Sequence, residues 1–254
     1  MDYSKKEIMV LSAARRIKNE DIVFCGTGIS MLAAVAAKHI YAPDAVLFFE
    51  TGAIDSKLEK LPLAVSDSRV MYGAQAFSSL VESFSFIQNP KTAAHIVGII
   101  GAAQIDPFGN LNSTMIGDYR DTRVRFPGSG GACDLASSVH TTIIFMTLEK
   151  RKFVPQLDYM TSPGWLSGFN TRQETGLSPW GPSCVVTDMG IMGFEDDSKR
   201  MYVKEIYPGV DPRDIRDNTG FNIDMSRAVP TAAPKPSELK ILREKTDPER
   251  LILA

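Results

Sequence analysis

The sequence predicts an α/β fold, an open and mostly parallel sheet flanked by helices, with an antiparallel strand addition near the C-terminal part. The first observation is a βαβ pattern. DIVFCGTG (21–28) is a short apolar strand ending in Gly26 and Gly28, SMLAAVAAKHIYAPD (30–44) is an alanine-rich helix stopped near Pro43, and AVLFFE (45–50) is a second apolar strand. Strand, helix and buried-looking strand in that order build parallel sheets. The second observation is a set of further uncharged runs, HIVGIIG, TTIIFMTL and SCVVTD, of the kind that fully buried strands need. The third is the stretch 186–207, which reads as strand, turn and strand with EDDSK at the tip.

The remaining elements follow in order. Ser4 and Glu7 have capping-box spacing, and Ile8, Leu11, Ala14 and Ile17 then share one helical face. DPRDIRDNTG is a short helix ending at Gly220. PSELKILREKTD is the last helix, capped by Ser237 and entered through Pro230, Pro234 and Pro236. No linker stands out, so residues 1–254 read as a single domain.

Composition narrows the function. The net charge is −2, and EKRK at 149–152 is the only dense basic cluster, which predicts no nucleic-acid partner. No apolar run is long enough to span a membrane, and the first residues do not form a secretory signal. The three cysteines, Cys25, Cys133 and Cys184, are sparse and odd in number. That points to a reducing, cytoplasmic setting. The three histidines lie far apart without ligand spacing, so no metal site is expected.

Three segments carry candidate chemistry. Glu50 closes an apolar strand and is followed by Thr51 and Gly52. A carboxylate at the carboxyl end of a parallel strand stands where α/β proteins bind ligands, and it can attack an activated acyl group. It can equally be an ordinary charged strand end. In FPGSGGACD, Gly128, Gly130 and Gly131 let successive N–H groups converge on an anion, or simply permit a sharp crossover. In GAAQIDPFGN, Asp106, Pro107 and Gly109 spell a turn, while Gln104 and Asn110 are candidates to position a polar ligand.

Taken together and in order, GTG (26–28), YAPDAVLFFETGAID (41–55), GAAQIDPFGNLNSTMIGDY (101–119), FPGSGGA (126–132), DYMTSPGW (158–165) and NTGF (218–221) resemble the β subunits of class I CoA-transferases, in particular the glutaconate type. The resemblance covers nearly the whole chain. It implies the CoA-transferase-like α/β fold and a homologous α subunit, with the αβ pair repeated in a larger assembly. It implies no permanently bound cofactor, coenzyme A entering as acyl-CoA substrate. It also implies ping-pong transfer of CoA from an acyl-CoA to a carboxylic acid, such as the dicarboxylate glutaconate, through a glutamyl-CoA thioester on Glu50. Gly52 belongs to the family's Glu-x-Gly, and Gly128, Gly130 and Gly131 to backbone near the thioester. Hydrolysis or decarboxylation of an acyl-CoA on the same fold, or a noncatalytic partner role, are the alternatives. Arg123 or Arg125, just before the glycine segment, can offer a cation to the far carboxylate of a dicarboxylic acceptor, or can belong to a surface strand.

Overall fold

The computed structural model describes residues 2–253. The chain divides into two compact units, residues 1–99 with 233–254, and residues 100–232.

The first unit contains helices α1 (Lys5–Ala14), α2 (Ile29–Ile40), α3 (Leu80–Gln88) and α4 (Pro90–Ala93). Its strands are β1 (Ile22–Cys25), β2 (Val46–Phe48), β3 (Ala53–Ile54), β4 (Ala76–Phe77) and β5 (Ile96–Gly101), which ends at the boundary. The strand order is β5-β1-β2-β3-β4. Both neighbours of β1 run parallel to it, with Phe24 opposite Phe48 and Gly98. The expected βαβ unit is therefore present, since β1, α2 and β2 are buried almost throughout. Strand β2 stops at Phe48, however, two residues short of Glu50. The chain reverses there into β3, which pairs antiparallel with β2 and with β4.

The C-terminal segment returns to this unit as α8 (Pro236–Ile241) and a π-helical turn over Leu242–Thr246. Ser237 does not cap α8. Pro236 occupies the first helical position, where its fixed φ and missing N–H suit a helix start. The cap therefore falls on Lys235, whose N–H donates to Glu238 at 2.7 Å. The α1 capping box forms as expected, with the Glu7 N–H on Ser4 Oγ at 3.2 Å and the Ser4 N–H on Glu7 Oε2 at 2.7 Å. Glu7 is 1% exposed. A buried carboxylate needs a counter-charge, and Arg243 supplies it with two hydrogen bonds of 2.6 and 3.0 Å.

These contacts set an acid limit on stability. Burial, with Lys245 and Lys38 nearby, pushes the His39 imidazole down from its ordinary 6.5 to about 4. Its Nδ1 lies 3.0 Å from Thr246 Oγ1. The unfolded chain then takes up the proton first, so stability falls as pH drops from about 6.5 to about 4. The Arg243 hydrogen bond holds the Glu7 carboxyl below its usual range. Glu7 stabilises the fold above its unfolded pKa, and that contribution is lost as pH falls through the lower folded value. Thermal melts against pH should show decline between pH 6.5 and 4, continuing below. In His39→Gln the upper part of that decline should flatten, and an unchanged slope would refute the assignment.

The second unit opens with two hairpins. In the first, β6 (Gln104–Ile105) pairs with β7 (Leu111–Asn112), and in the second, β8 (Met115–Gly117) pairs with β9 (Thr122–Arg125). Helix α5 (Ala132–Ser138), strand β10 (Thr141–Phe145), helix α6 (Thr171–Glu174) and strand β11 (Pro182–Val186) follow. Then come β12 (Gly190–Phe194), β13 (Met201–Ile206), α7 (Pro212–Asp217) and β14 (Val229–Pro230). The order is β14-β13-β12-β11-β10. Strands β10 and β11 are parallel, while β12 and β13 form the expected antiparallel addition around residues 195–200. A short parallel β14 lies outside β13.

The largest buried side chain of this unit is a cation, Arg172, 2% exposed. Its guanidinium donates to the carbonyls of Ser178 (2.9 Å), Pro163 (3.3 Å), Gly164 (2.5 Å), Ala136 (3.0 Å) and Ser137 (3.4 Å). Burial lowers its pKa to about 10, so it stays charged at neutral pH. Ala136 and Ser137 lie in the last turn of α5, where exposed carbonyls make the helix end negative.

Candidate active site

Glu50 sits at the apex of a tight turn between β2 and β3. The Gly52 N–H donates to the Phe49 carbonyl at 2.9 Å, and the Phe49 N–H donates to Ala53 at 3.0 Å. The loop is thus Glu50, Thr51 and Gly52. Three-residue hairpin loops of this kind need a left-handed residue at their third position. Gly52 fills it with φ +93°. Space demands glycine as well, because a Cβ there would lie 1.8 Å from the Ser78 carbonyl oxygen. That carbonyl belongs to the strand-to-helix link beyond β4, and the Ser78 N–H donates back to the Gly52 carbonyl at 2.9 Å. Gly52→Ala should therefore cost on the order of 2–4 kcal/mol and displace Glu50. A thermal melt within a degree of wild type would contradict this.

Glu50 is partly exposed, and among the described residues no side chain pairs with its carboxylate. The adjoining Thr51 hydroxyl is buried without a hydrogen-bond partner. Because β1 and β2 are parallel and in register, the GTG loop after β1 emerges at the same end of the sheet. Gly28 has φ +75° and leads into α2 with no side-chain cap, leaving first-turn N–H groups unsatisfied there.

The other sequence candidates lie in the second unit. Gly128 and Gly130 have φ +97° and +50°, and Gly131 is the N-cap of α5. The loop is pinned at its start, the Gly128 N–H donating to the Ser113 carbonyl at 3.0 Å and Ser113 Oγ to the Gly128 carbonyl at 2.8 Å. Among the described residues the N–H groups of Ser129, Gly130 and Gly131 find no acceptor. A Cβ at Gly128 or Gly130 would meet nothing within 4 Å, so the loop borders open space. These are consecutive donors available to an oxyanion.

Gln104 is 5% exposed, and its amide is committed internally. Its Oε1 accepts from Asn112 at 2.7 Å and from the Asp158 N–H at 3.2 Å, while its Nε2 donates to Asp158 at 3.1 Å. Asn110 likewise bonds Asp106, Leu166 and Gly164. Arg123 and Arg125 lie on the exposed strand β9. Sequence reasoning missed two features. The Thr51 hydroxyl has no signal beyond its place in the loop, and Arg172, within NTRQETG, looks like any surface arginine.

Among the described residues, no group of three His, Cys, Asp or Glu side chains is arranged to hold a metal, and no helix is long and apolar enough to cross a membrane. His140 packs edge-on to Trp180 at 5.4 Å. A cleft of about 680 Å³ in the first unit is walled by Lys38, His39, Asp55, Lys57 and Lys245, without Glu50.

A family profile described as Coenzyme A transferase matches residues 6–218. The chain is 42% identical over 250 residues to the β-type subunit of glutaconate CoA-transferase of Acidaminococcus fermentans, covering 97% of this chain and 94% of that one. It is 39% identical over 243 residues to the corresponding subunit of 3-oxoadipate CoA-transferase of Pseudomonas knackmussii, covering 95% and 92%. The crystal structure of glutaconate coenzyme A-transferase from Acidaminococcus fermentans matches with a TM-score of 0.95 at 42% identity, over 100% of this chain and 98% of that one. The chain therefore belongs to the coenzyme A transferase family, in its class I branch, as a β-type enzyme subunit for which coenzyme A is a substrate thioester rather than a resident cofactor.

Proposed function

We propose that this subunit moves CoA between an acyl-CoA and a dicarboxylic acid by ping-pong chemistry on Glu50. The observation that carries the reading is the position of Glu50, a carboxylate without a partner at the apex of a turn that only glycine can close. A structural carboxylate would be paired or capping, as Glu7 and Glu238 are.

The ionised Glu50 oxygen attacks the thioester carbonyl, and charge builds on the acyl oxygen. The C–S bond breaks, CoA thiolate leaves, and an acyl-glutamyl anhydride remains. The thiolate attacks the Glu50 carbonyl carbon, the donor carboxylate departs, and a glutamyl-CoA thioester is left. The acceptor carboxylate then reverses the sequence. One thioester replaces another, so little driving force is needed. Rate comes from orientation, from N–H donors to the oxyanion, and from keeping water off the anhydride. Ser129, Gly130 and Gly131 are the donors this reading assigns, with Gly128 shaping their loop. Gln104 acts behind them, by holding Asp158. Activity requires a homologous α subunit, and the αβ pair is repeated in a larger assembly. The names of both relatives, glutaconate and 3-oxoadipate transferases, support a dicarboxylate as acceptor. Three free cysteines are consistent with a cytoplasmic setting.

The test is chemical trapping. The assembled enzyme is incubated with acyl-CoA and treated with hydroxylamine or borohydride, and peptide mass spectrometry should find the hydroxamate or the alcohol on Glu50. Modification elsewhere, or none, would overturn the assignment.

A further inference from the structure

We propose that Lys38 and Asp55 are positioning residues for Glu50, an ammonium and a carboxylate that clamp the two legs of its hairpin together at the base. The proposal rests on the reading of Glu50 as the nucleophile and adds what fixes the place of that nucleophile.

The hairpin needs a clamp because its own ladder is short. Between β2 and β3 the register has one pair, Phe48 with Ile54, and the loop above it is closed by the Phe49 and Gly52 N–H groups. Hairpins with so few paired residues are marginal by themselves. The two legs are also unequally supported. The β2 leg pairs with β1 along Val46–Phe48 and is largely buried. The β3 leg has β4 beyond it, a two-residue strand at the edge of the sheet with both residues exposed. A shift of β3 against β2 would carry Gly52, and Glu50 with it.

Lys38 spans that weak joint. It stands in the last turn of α2, and its Nζ donates to the Ala45 carbonyl at 2.9 Å, where the chain enters β2. The same Nζ donates to Asp55 Oδ1, where the chain leaves β3. An ammonium, with three donors around a point charge, can serve two acceptors in different directions. Asp55 is held from its other sides as well. Its N–H donates to the Leu47 carbonyl at 2.6 Å, and its Oδ2 accepts from Gln75 Nε2 at 2.8 Å. Gln75 in turn gives its N–H to the Ile54 carbonyl at 2.9 Å. Asp55 has a left-handed φ of +52°. Such a conformation is uncommon for a residue with a side chain and persists where the surrounding contacts over-determine it. From Asp55 back to Gly52 is at most about 10 Å of extended chain, so β3 alone joins the clamp to the turn.

Stability alone does not account for the arrangement. Any cation would serve the end of α2, and a partly open ion pair stabilises a fold little. These side chains are 26% and 16% exposed. Both line the cleft of the first unit that excludes Glu50, so they act on the reaction through the backbone.

Lys38→Met and Asp55→Asn in the assembled enzyme test the clamp. Asparagine accepts a left-handed backbone as aspartate does, but it cannot form the ion pair. Each variant should lower kcat about tenfold to a hundredfold, the loss expected when a nucleophile is displaced by up to about an ångström, with KM for acyl-CoA within about twofold of wild type. Lys38→Arg, which keeps the charge, should recover part of the rate. Single-turnover trapping with hydroxylamine separates positioning from structural support. Under the proposal the same number of Glu50 sites is labelled, more slowly. Fewer sites labelled at the wild-type rate would mean structural support and would overturn it. So would wild-type kcat in both variants, a raised KM with kcat unchanged, or loss of assembly in gel filtration by all three variants. Glu50→Gln, run in parallel, keeps the two readings apart. If it is inactive while Lys38→Met turns over normally, the clamp fails and the nucleophile stands. If it turns over, the nucleophile reading fails, and the clamp with it.

Discussion

Replacing Glu50 by glutamine should lower the transfer rate at least ~10³-fold, about 4 kcal/mol of barrier, without changing the melting temperature or subunit assembly. The amide is nearly isosteric but cannot form the anhydride, and with no partner to the carboxylate the fold loses nothing by the change. Glu50→Asp sharpens the test. It keeps the charge and withdraws the oxygen by one methylene, and a nucleophile displaced by about an ångström loses on the order of 10²-fold. Stopped-turnover assays of thioester exchange would measure both. Near-normal turnover in Glu50→Gln would leave the subunit with a supporting role only. Release of free acid and CoA without an acceptor, dependent on Glu50, would mean that water reaches the intermediate and that the reaction is hydrolysis.

Removing the Arg172 guanidinium, as in Arg172→Met, should destabilise the second unit by about 3–5 kcal/mol. A domain of this size should then melt roughly 10 °C lower. The methionine fills part of the volume, but it leaves the carbonyl oxygens of Ser178, Pro163, Gly164 and Ala136 without their donor, while that of Ser137 keeps the Ser178 N–H at 3.3 Å. Buried carbonyls deprived of partners carry their full desolvation cost. Arg172→Lys should recover only part of the loss, because one ammonium cannot reproduce a planar fork aimed at the α5 end and two loops at once. Differential scanning calorimetry distinguishes these outcomes, and a shift under about 2 °C in Arg172→Met would contradict the role assigned here. The consequence should reach the glycine loop. Helix α5 is gripped at its last turn by Arg172 and has Gly131 as its N-cap, so a loosened helix moves the N–H groups at its start.

What was legible in the sequence was what local pattern and chain order control. The βαβ unit could be read because α2 is alanine-rich and its flanking strands carry no charge. The α1 capping box could be read because Ser4 and Glu7 stand at the required spacing. Strands β3 and β4 could not, because each has two residues and no alternation to detect. The reversal at Phe48 hid for the same reason, an apolar run continuing through Phe49 into the turn. The start of α8 departs from the sequence pattern because Ser237 is a good capping residue in isolation, while Pro236 sets the first turn. The return of the C-terminal segment rests on Arg243 meeting Glu7, 236 positions away. At the candidate site, the Glu-x-Gly spacing was visible but the Ser78 carbonyl that enforces glycine was not. Gln104 reads as a polar residue beside a turn, and only its three hydrogen bonds to Asn112 and Asp158 reveal that its amide faces inward.

The inequality among the cysteines has a practical side. Cys25 is wholly enclosed and its thiol is driven far above the ordinary range by burial, and Cys184 is buried as well. Cys133 alone is partly open, with its N–H on Ser129 Oγ at 2.9 Å, in the first turn of the helix that follows the glycine loop. A thiol-directed fluorophore therefore has a single natural attachment point in the wild-type chain, beside the loop whose occupancy one would wish to watch, with no engineered cysteine required.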